Sequence, residues 1–465
     1  MRKLNHHSNF SGLFQDKRLE RRADKISQSL FMNRQSSVHG STKTEAEQKG
    51  FYRFLHNEKV SEDLLIKELT QRCVNNVINQ DILILQDTTS FGLSHNAKNI
   101  KKHSGVGLVG NKIGTGFLAH CSLVLDSTHE TMLGFSDIQL WHRTEDKSNN
   151  TTGAYKKQPI EEKESYKWIQ ASLQGKQTLH RAQSITIIED REGDIYEQFN
   201  CIPDQKTQLL IRNRDNRKLE DGSRLHDVLK QSEALGQYEI QLYGDLRKEK
   251  IKRVAKVEIK AIQVAIKKPT TLRRKDVVDT ISVYAIEVQE IYNTSKDRIC
   301  WRILTTTPTV TFEQALKIVH KYKLRWYIEQ LFRLMKKQGF NIEDTQLESG
   351  WAIRKLVVLL LNTTLRVMQL YLAYDVQESQ PIKEVFEEEE IECLKLLEKK
   401  HIKQTPNTTN HFDTEDLSWA SWTIARLGGW KGNRKQRKPG PLIIKRGLEK
   451  FESIYEGWRL AKNKT

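Results

Sequence analysis

The alternation of apolar and polar positions changes period along these 465 residues. Up to about residue 75 the apolar positions recur at helical spacing, as in "DKRLERRADKISQSLF" and "TEAEQKGFYRFLHNEKVSEDLLIKEL". Strand-like runs take over at "DILILQDTTSF". Two longer ones follow, "GTGFLAHCSLVLD" and "TMLGFSDIQLWHR", joined by the turn "STHE". A helical pattern in "EEKESYKWIQASLQG" precedes the apolar run "SITIIEDREGD". A helix through "DIYEQF" and a strand "TQLLIRNR" come next. The predicted order is therefore three strands, helix, strand, helix, strand. A three-stranded meander continued by alternating helix and strand is the pattern of a ribonuclease-H-like α/β core.

From about 217 to 310 the chain reads as a β-strand-rich insertion, with "YEIQLYG", "RVAKVEIKAIQVAI" and "ISVYAIEVQEI". After Thr311 the pattern is helical again, with a C-terminal portion beginning near 375. The longest apolar patch, "LVVLLLNTTLRVMQLYL" from Leu356, is interrupted by Asn362, two threonines and Arg366. It predicts a buried core helix, and no run is long enough to span a bilayer. The domain division expected is a helical domain over 1–75, an α/β domain over 76–375 and a helical C-terminal domain over 376–465.

Charge then narrows the partner. Lys and Arg outnumber Asp and Glu by 76 to 59, a net charge of +17, which favours a polyanion and nucleic acid over a membrane surface. Apolar residues at 37% and charged ones at 29% exclude a disordered chain. Cys73, Cys121, Cys201, Cys300 and Cys393 are scattered without metal-knuckle spacing, so a reduced cytoplasmic chain is expected. The acidic run "EVFEEEEIE" reads as a solvated helix face.

Candidate chemistry starts in "YKLRWYIEQLFRLMKK", Tyr322 to Lys337, where Glu329 is the one acidic residue. At about 100° per residue, Tyr322, Arg325, Glu329 and Lys336 fall within roughly 60° of one another, beside a buried stripe of Leu324, Ile328, Leu331 and Met335. Arg325 to Glu329 and Glu329 to Arg333 are also in register for ordinary ion pairs along a helix. The alternative reading gives Glu329 a divalent cation, and Tyr322, Arg325 and Lys336 nucleic-acid phosphates. Asp87 ends the first core strand and Asp190 the fourth, and these strands lie side by side in such a sheet. Each Asp taken singly is also a turn or helix-cap residue. Glu189, Glu192 and Asp194 are neighbouring alternatives to Asp190, although strand alternation turns Glu189 to the opposite face. Two Asp and one Glu are the ligand set for two metal ions about 4 Å apart, suited to in-line displacement at phosphorus.

The spacing Tyr322, Arg325, Glu329, Lys336 resembles the Tyr-Arg-Glu-Lys signature of bacterial insertion-sequence DDE transposases, of the cut-and-paste subgroup that excises through DNA hairpins. "QDTTSF" and "DREGDIYEQF" resemble that family's two Asp motifs. "EKESYKW", "YRFLHN", "SWTIARLGGW" and "EGW" extend the likeness over nearly the whole chain. The resemblance implies a ribonuclease-H-like (retroviral-integrase-like) catalytic core and a catalytic, metal-binding triad of Asp87, Asp190 and Glu329. It implies two Mg²⁺ ions per site, with Mn²⁺ as a substitute. Tyr322, Arg325 and Lys336 would grip a phosphate, as would Arg212 and Arg217. Trp301 would stack on a flipped base, and Arg18, Arg22 and Arg53 would recognise the transposon end. Lys431, Arg434, Lys435, Arg437 and Lys438 compete for a further DNA contact. The partners implied are double-stranded DNA, as transposon end and as target, and a second copy of the chain meeting through the last helices. A structure-selective nuclease of the same fold and a catalytically silent DNA-binding regulator are the alternatives.

Overall fold

The computed structural model describes residues 8–462 apart from 34–36, 111–113, 145–157, 243–252, 294–297, 337–338, 375–379, 403–404 and 434–437. In chain order the main elements are α1 (Lys17–Asn33), α2 (Glu45–Leu55), α3 (Glu62–Asn76), β1 (Asp81–Gly92), β2 (Gly107–Val109), β3 (Gly114–Asp126) and β4 (Met132–Trp141). Next come α4 (Tyr166–Thr178), β5 (Ser184–Glu189), α5 (Tyr196–Cys201), β6 (Thr207–Arg212), α6 (Leu225–Gln231), β7 (Gly236–Leu242), β8 (Arg253–Lys267), β9 (Thr280–Glu290) and β10 (Cys300–Thr305). The helices α7 (Phe312–Leu324), α8 (Trp326–Met335), α9 (Gly350–Ala373), α10 (Glu388–His401), α11 (Leu417–Leu427) and α12 (Pro441–Lys462) complete the chain. The architecture is mixed α/β, with strands and helices in the order expected for the core. The short β2 escapes the sequence pattern because three residues are too few to show a period.

The chain forms two compact units. One comprises residues 1–81, 88–149 and 327–465; the other comprises 82–87 and 150–326. Strand β1 contributes to both.

The first unit is built on α9. Contrary to the expectation that no run could span a bilayer, this helix is the one among the described residues long and apolar enough to do so, but 94% of its apolar window is buried inside the protein, as expected of a core helix. Its polar interruptions are spent internally. Arg354 donates to the Gly105 and Leu140 carbonyls and pairs with Glu62 at 2.6 Å, while Lys355 donates to the Leu55 and Asn57 carbonyls at the end of α2. Arg72 donates to Asn362 at 2.9 Å, tying α3 to α9. The cations thus satisfy carbonyls that burial would otherwise leave without donors. In the same unit β3 pairs antiparallel with β2 through residues 114–116 and with β4 through 118–125.

In the second unit the strands follow the order β1–β5–β6–β10–β9–β8–β7. β5 and β6 are parallel; β6–β10, β10–β9, β9–β8 and β8–β7 are antiparallel. The strands of the 217–310 region therefore extend the sheet that carries β5 and β6. Alternating runs such as "KVEIKAIQVAI" on β8 leave no closed second core, so their backbone pairs with β9 and, through β10, with β6. Helix α7 starts at a capping box, in which Thr311 accepts from the Gln314 amide and Gln314 from the Thr311 amide.

Candidate active site

Strands β1 and β5 set the two aspartates. Asp87 follows five buried residues, Ile82 to Gln86, and is itself half-buried; contrary to expectation it does not end its strand, because β1 runs on to Gly92. Asp190 follows the buried run Ile185–Glu189 and opens a one-turn 3-10 helix, where its carboxylate accepts from the Glu192 amide at 2.7 Å. The neighbouring acids have other employment. Asp194 is buried and accepts from Asn213 Nδ2 at 3.0 Å, the Arg214 amide at 2.8 Å and Arg217 Nε at 3.0 Å. Glu192 lies on the surface 3.3 Å from Lys167. Glu189 is fully buried, and burial pushes its carboxyl well above the usual range.

The helix expected as one continuous element is two. A hitch at Arg325, whose amide bonds back to the Tyr322 carbonyl at 3.1 Å, separates α7 from α8. The stripe Leu324, Ile328, Leu331 and Met335 is buried as the periodicity required. Arg325 Nη1 lies 3.1 Å from Asp87 Oδ2, and both side chains are largely covered. A partner 238 residues away is more than local helix pairing supplies. Arg325 also hydrogen-bonds the Tyr322 hydroxyl. Burial pushes the Tyr322 phenol up, Arg325 and Arg212 pull it down, and Asp190 pushes it up again. Asp87, Asp190, Arg212, Tyr322 and Arg325 are thus one electrostatic cluster within the second unit. Arg212, on the last residue of β6, forms no ion pair among the described residues.

The remaining residues fall elsewhere. Arg217 does not face solvent: its side chain is 9% exposed and locked to Asp194. Trp301 is half-buried on β10, opposite Val288 of β9. In the first unit Glu329 is half-buried on α8, and Lys336 Nζ lies 5.5 Å from the Phe91 ring centroid. Arg18 is 89% exposed beside Asp16, and Arg53 is exposed on the last turn of α2. Arg22 packs its guanidinium over Gly50, where a Cβ would stand 2.4 Å from Nη1. Lys431 and Lys438 are described; Arg434, Lys435 and Arg437 lie outside the described residues.

Residues 156–365 match the family model described as Transposase DDE domain, and residues 8–60 the one described as Transposase DNA-binding. The chain carries a transposase DDE domain. The DDE match spans Asp190, Arg212, Arg217, Trp301, Tyr322, Arg325, Glu329 and Lys336; Asp87 precedes it. The DNA-binding match spans Arg18, Arg22 and Arg53. Together the two matches indicate a transposase, and the mixed α/β fold is consistent with a ribonuclease-H-like DDE domain. Among solved structures the chain is similar to the cryo-EM structure of a piggyBac transposase synaptic complex with hairpin DNA. The identity is 8%, the alignment covers 96% of this chain and 72% of that one, and the TM-score is 0.36.

Such domains use divalent metal ions. Among the described residues no three His, Cys, Asp or Glu side chains converge as a metal-holding group. By donor chemistry the two aspartates still fit a hard divalent cation: they offer carboxylate oxygens, and Asp87 already has a cation against it.

The sequence reading missed the Asp194–Arg217 lock and the burial of Glu189. The signal for the second was a carboxylate ending the apolar run "SITII" on the face opposite Asp190.

Proposed function

We propose that this transposase excises and integrates an insertion sequence by phosphodiester hydrolysis, hairpin formation and strand transfer, in the bacterial cytoplasm and as a dimer on DNA. The observation that carries this is the cluster, in the second unit, of Asp87 within β1, Asp190 just past β5, Arg212 on the last residue of β6, and Tyr322 and Arg325 at the end of α7. It places two carboxylates among cationic side chains, which suits a phosphodiester far better than a neutral substrate.

Asp87, Asp190 and Glu329 are the acidic residues assigned to the reaction, and they would hold Mg²⁺ or Mn²⁺. A divalent ion there supplies stabilisation of the attacking and leaving oxygens of an in-line displacement. Arg325 is placed to give up Asp87 for a phosphate oxygen, since its planar fork matches either anion. Tyr322, fixed by Arg325, and Arg212, without an ion pair among the described residues, are assigned to the phosphate grip in the second unit. Lys336 is also assigned to binding phosphate. Arg217 is assigned to shaping the 213–217 loop that follows Arg212, because Asp194 already occupies it. Trp301 is assigned to stacking on a flipped base. Residues 1–75, with Arg18, Arg22 and Arg53, would bind the transposon end, and residues 376–465 would join two protomers.

In the sequence proposed, water cuts one strand and frees a 3′ hydroxyl. That hydroxyl attacks the opposite strand to form the hairpin, a second water opens it, and the regenerated 3′ hydroxyl joins target DNA. A strand-transfer assay with a precleaved end of the element flanking the gene tests the reading. Joined product is expected. Cleavage with no joining at any metal concentration would make the protein a nuclease instead.

A further inference from the structure

Directly behind the two aspartates lies a buried polar quartet that none of the roles above uses. Gln86, the residue before Asp87, donates from Nε2 to Ser172 Oγ at 3.0 Å. Ser172, on α4, donates to Oε1 of Glu189, the residue before Asp190, at 3.2 Å. Gln198, on α5, donates to Ser172 Oγ at 2.9 Å and to Glu189 Oε1. All four side chains are fully shielded from solvent. Successive strand residues face opposite sides. Gln86 and Glu189 therefore occupy the helix-covered face, while Asp87 and Asp190 emerge beside the next residue on each strand. The turn after Asp190 closes on the same group: a Cβ on Gly193 would stand 2.0 Å from Glu189 Oε2 and 2.7 Å from its Cβ.

Four polar side chains in a dry core are costly compared with apolar ones of similar volume, unless their directional bonds fix something. What they can fix is the height of β1 relative to β5, because one hydroxyl, Ser172 Oγ, links the buried residue before Asp87 to the buried residue before Asp190. We infer that Gln86, Ser172, Glu189 and Gln198 are positioning residues that hold Asp87 and Asp190 at a set spacing for metal and phosphate. This rests on the reading of the two aspartates as catalytic. The residues touch neither DNA nor ion; they act through the backbone of β1 at Asp87 and of β5 up to Asp190.

The test uses the full-length chain, with Mn²⁺ titration followed by electron paramagnetic resonance, nicking of a supercoiled plasmid in Mn²⁺, and thermal unfolding. Removing the linking hydroxyl in Ser172→Ala is expected to weaken Mn²⁺ affinity and slow nicking by about tenfold, the scale seen for outer groups that orient metal ligands. Glu189→Leu, which keeps bulk and loses the acceptor, is expected to do the same. Glu189→Gln retains an oxygen at the Oε1 position and is expected to stay near wild type, a rescue that simple core filling would award to leucine instead. Cooperatively folded Ser172→Ala with wild-type Mn²⁺ affinity and nicking would overturn the inference. So would failure of Ser172→Ala to fold, which would make the quartet a purely structural core. Asp87→Asn and Asp190→Asn run alongside as a separate control. If they nick normally, the active-site reading itself fails; if they are dead while the quartet variants are normal, only the positioning role fails.

Discussion

Asp190 and Asp194 stand at the two ends of one turn, and their surroundings differ. Asp190 is half-buried, and its carboxylate accepts the Glu192 amide of its own turn. Asp194 is fully buried and takes donors from Asn213, Arg214 and Arg217, which pins the 213–217 loop. The cations show the same split. Arg217 is locked to Asp194, whereas Arg212, five residues earlier, has no ion pair among the described residues. A carboxylate or guanidinium whose bonding capacity the scaffold has filled holds the fold. One with capacity left, at the edge of the same loop, is where a ligand can be met.

The sharpest way to break this comparison is to remove each partner in turn. Asp194→Ala leaves the Arg217 charge buried without its counter-ion and is expected to cost about 3–5 kcal/mol of stability by chemical denaturation. Asp190→Asn keeps a capping side chain and is expected to cost less than about 1 kcal/mol. Equal losses would erase the distinction. Arg212→Ala, next in size, is expected to leave stability within about 0.5 kcal/mol. It should nevertheless reduce the salt dependence of DNA binding by about one counterion, read from the slope of log affinity against log salt.

A pH-dependent effect sits in the first unit. Burial pushes the Asp137 carboxyl up from 3.8 to about 6, against the bond it accepts from Gln139. The folded state thus binds a proton more tightly than the unfolded one. The associated stability is complete below 3.8 and is lost as pH rises through about 6. Denaturation midpoints of Asp137→Asn should lack that decline, so the variant gains on wild type above pH 6. Lys336→Ala should cost about 0.5–1 kcal/mol of stability from its contact with Phe91, while impairing DNA-end cleavage.

Much of this was legible from the chain. The β1, β3, β4, α4, β5, α5, β6 order followed from period alone, and the neighbouring of β1 and β5 followed from the core it implied. The helix of Leu356 was readable as core because Asn362 and Arg366 break its apolar run. What periodicity cannot report is which polar groups find each other across the sequence. Asp87 with Arg325, Asp194 with Arg217, and Ser172 with Gln86 and Glu189 are all contacts of the folded chain. The hitch at Arg325 was invisible for the same reason: no Gly or Pro marks it.

The most direct measurement is nicking of supercoiled plasmid in Mn²⁺ by wild type, Asp87→Asn and Asp190→Asn, all shown to be folded. Nicking by the wild type and background levels in both variants is the predicted result. Undiminished nicking by either variant would contradict the assignment of the catalytic centre to Asp87 on β1 and Asp190 just past β5.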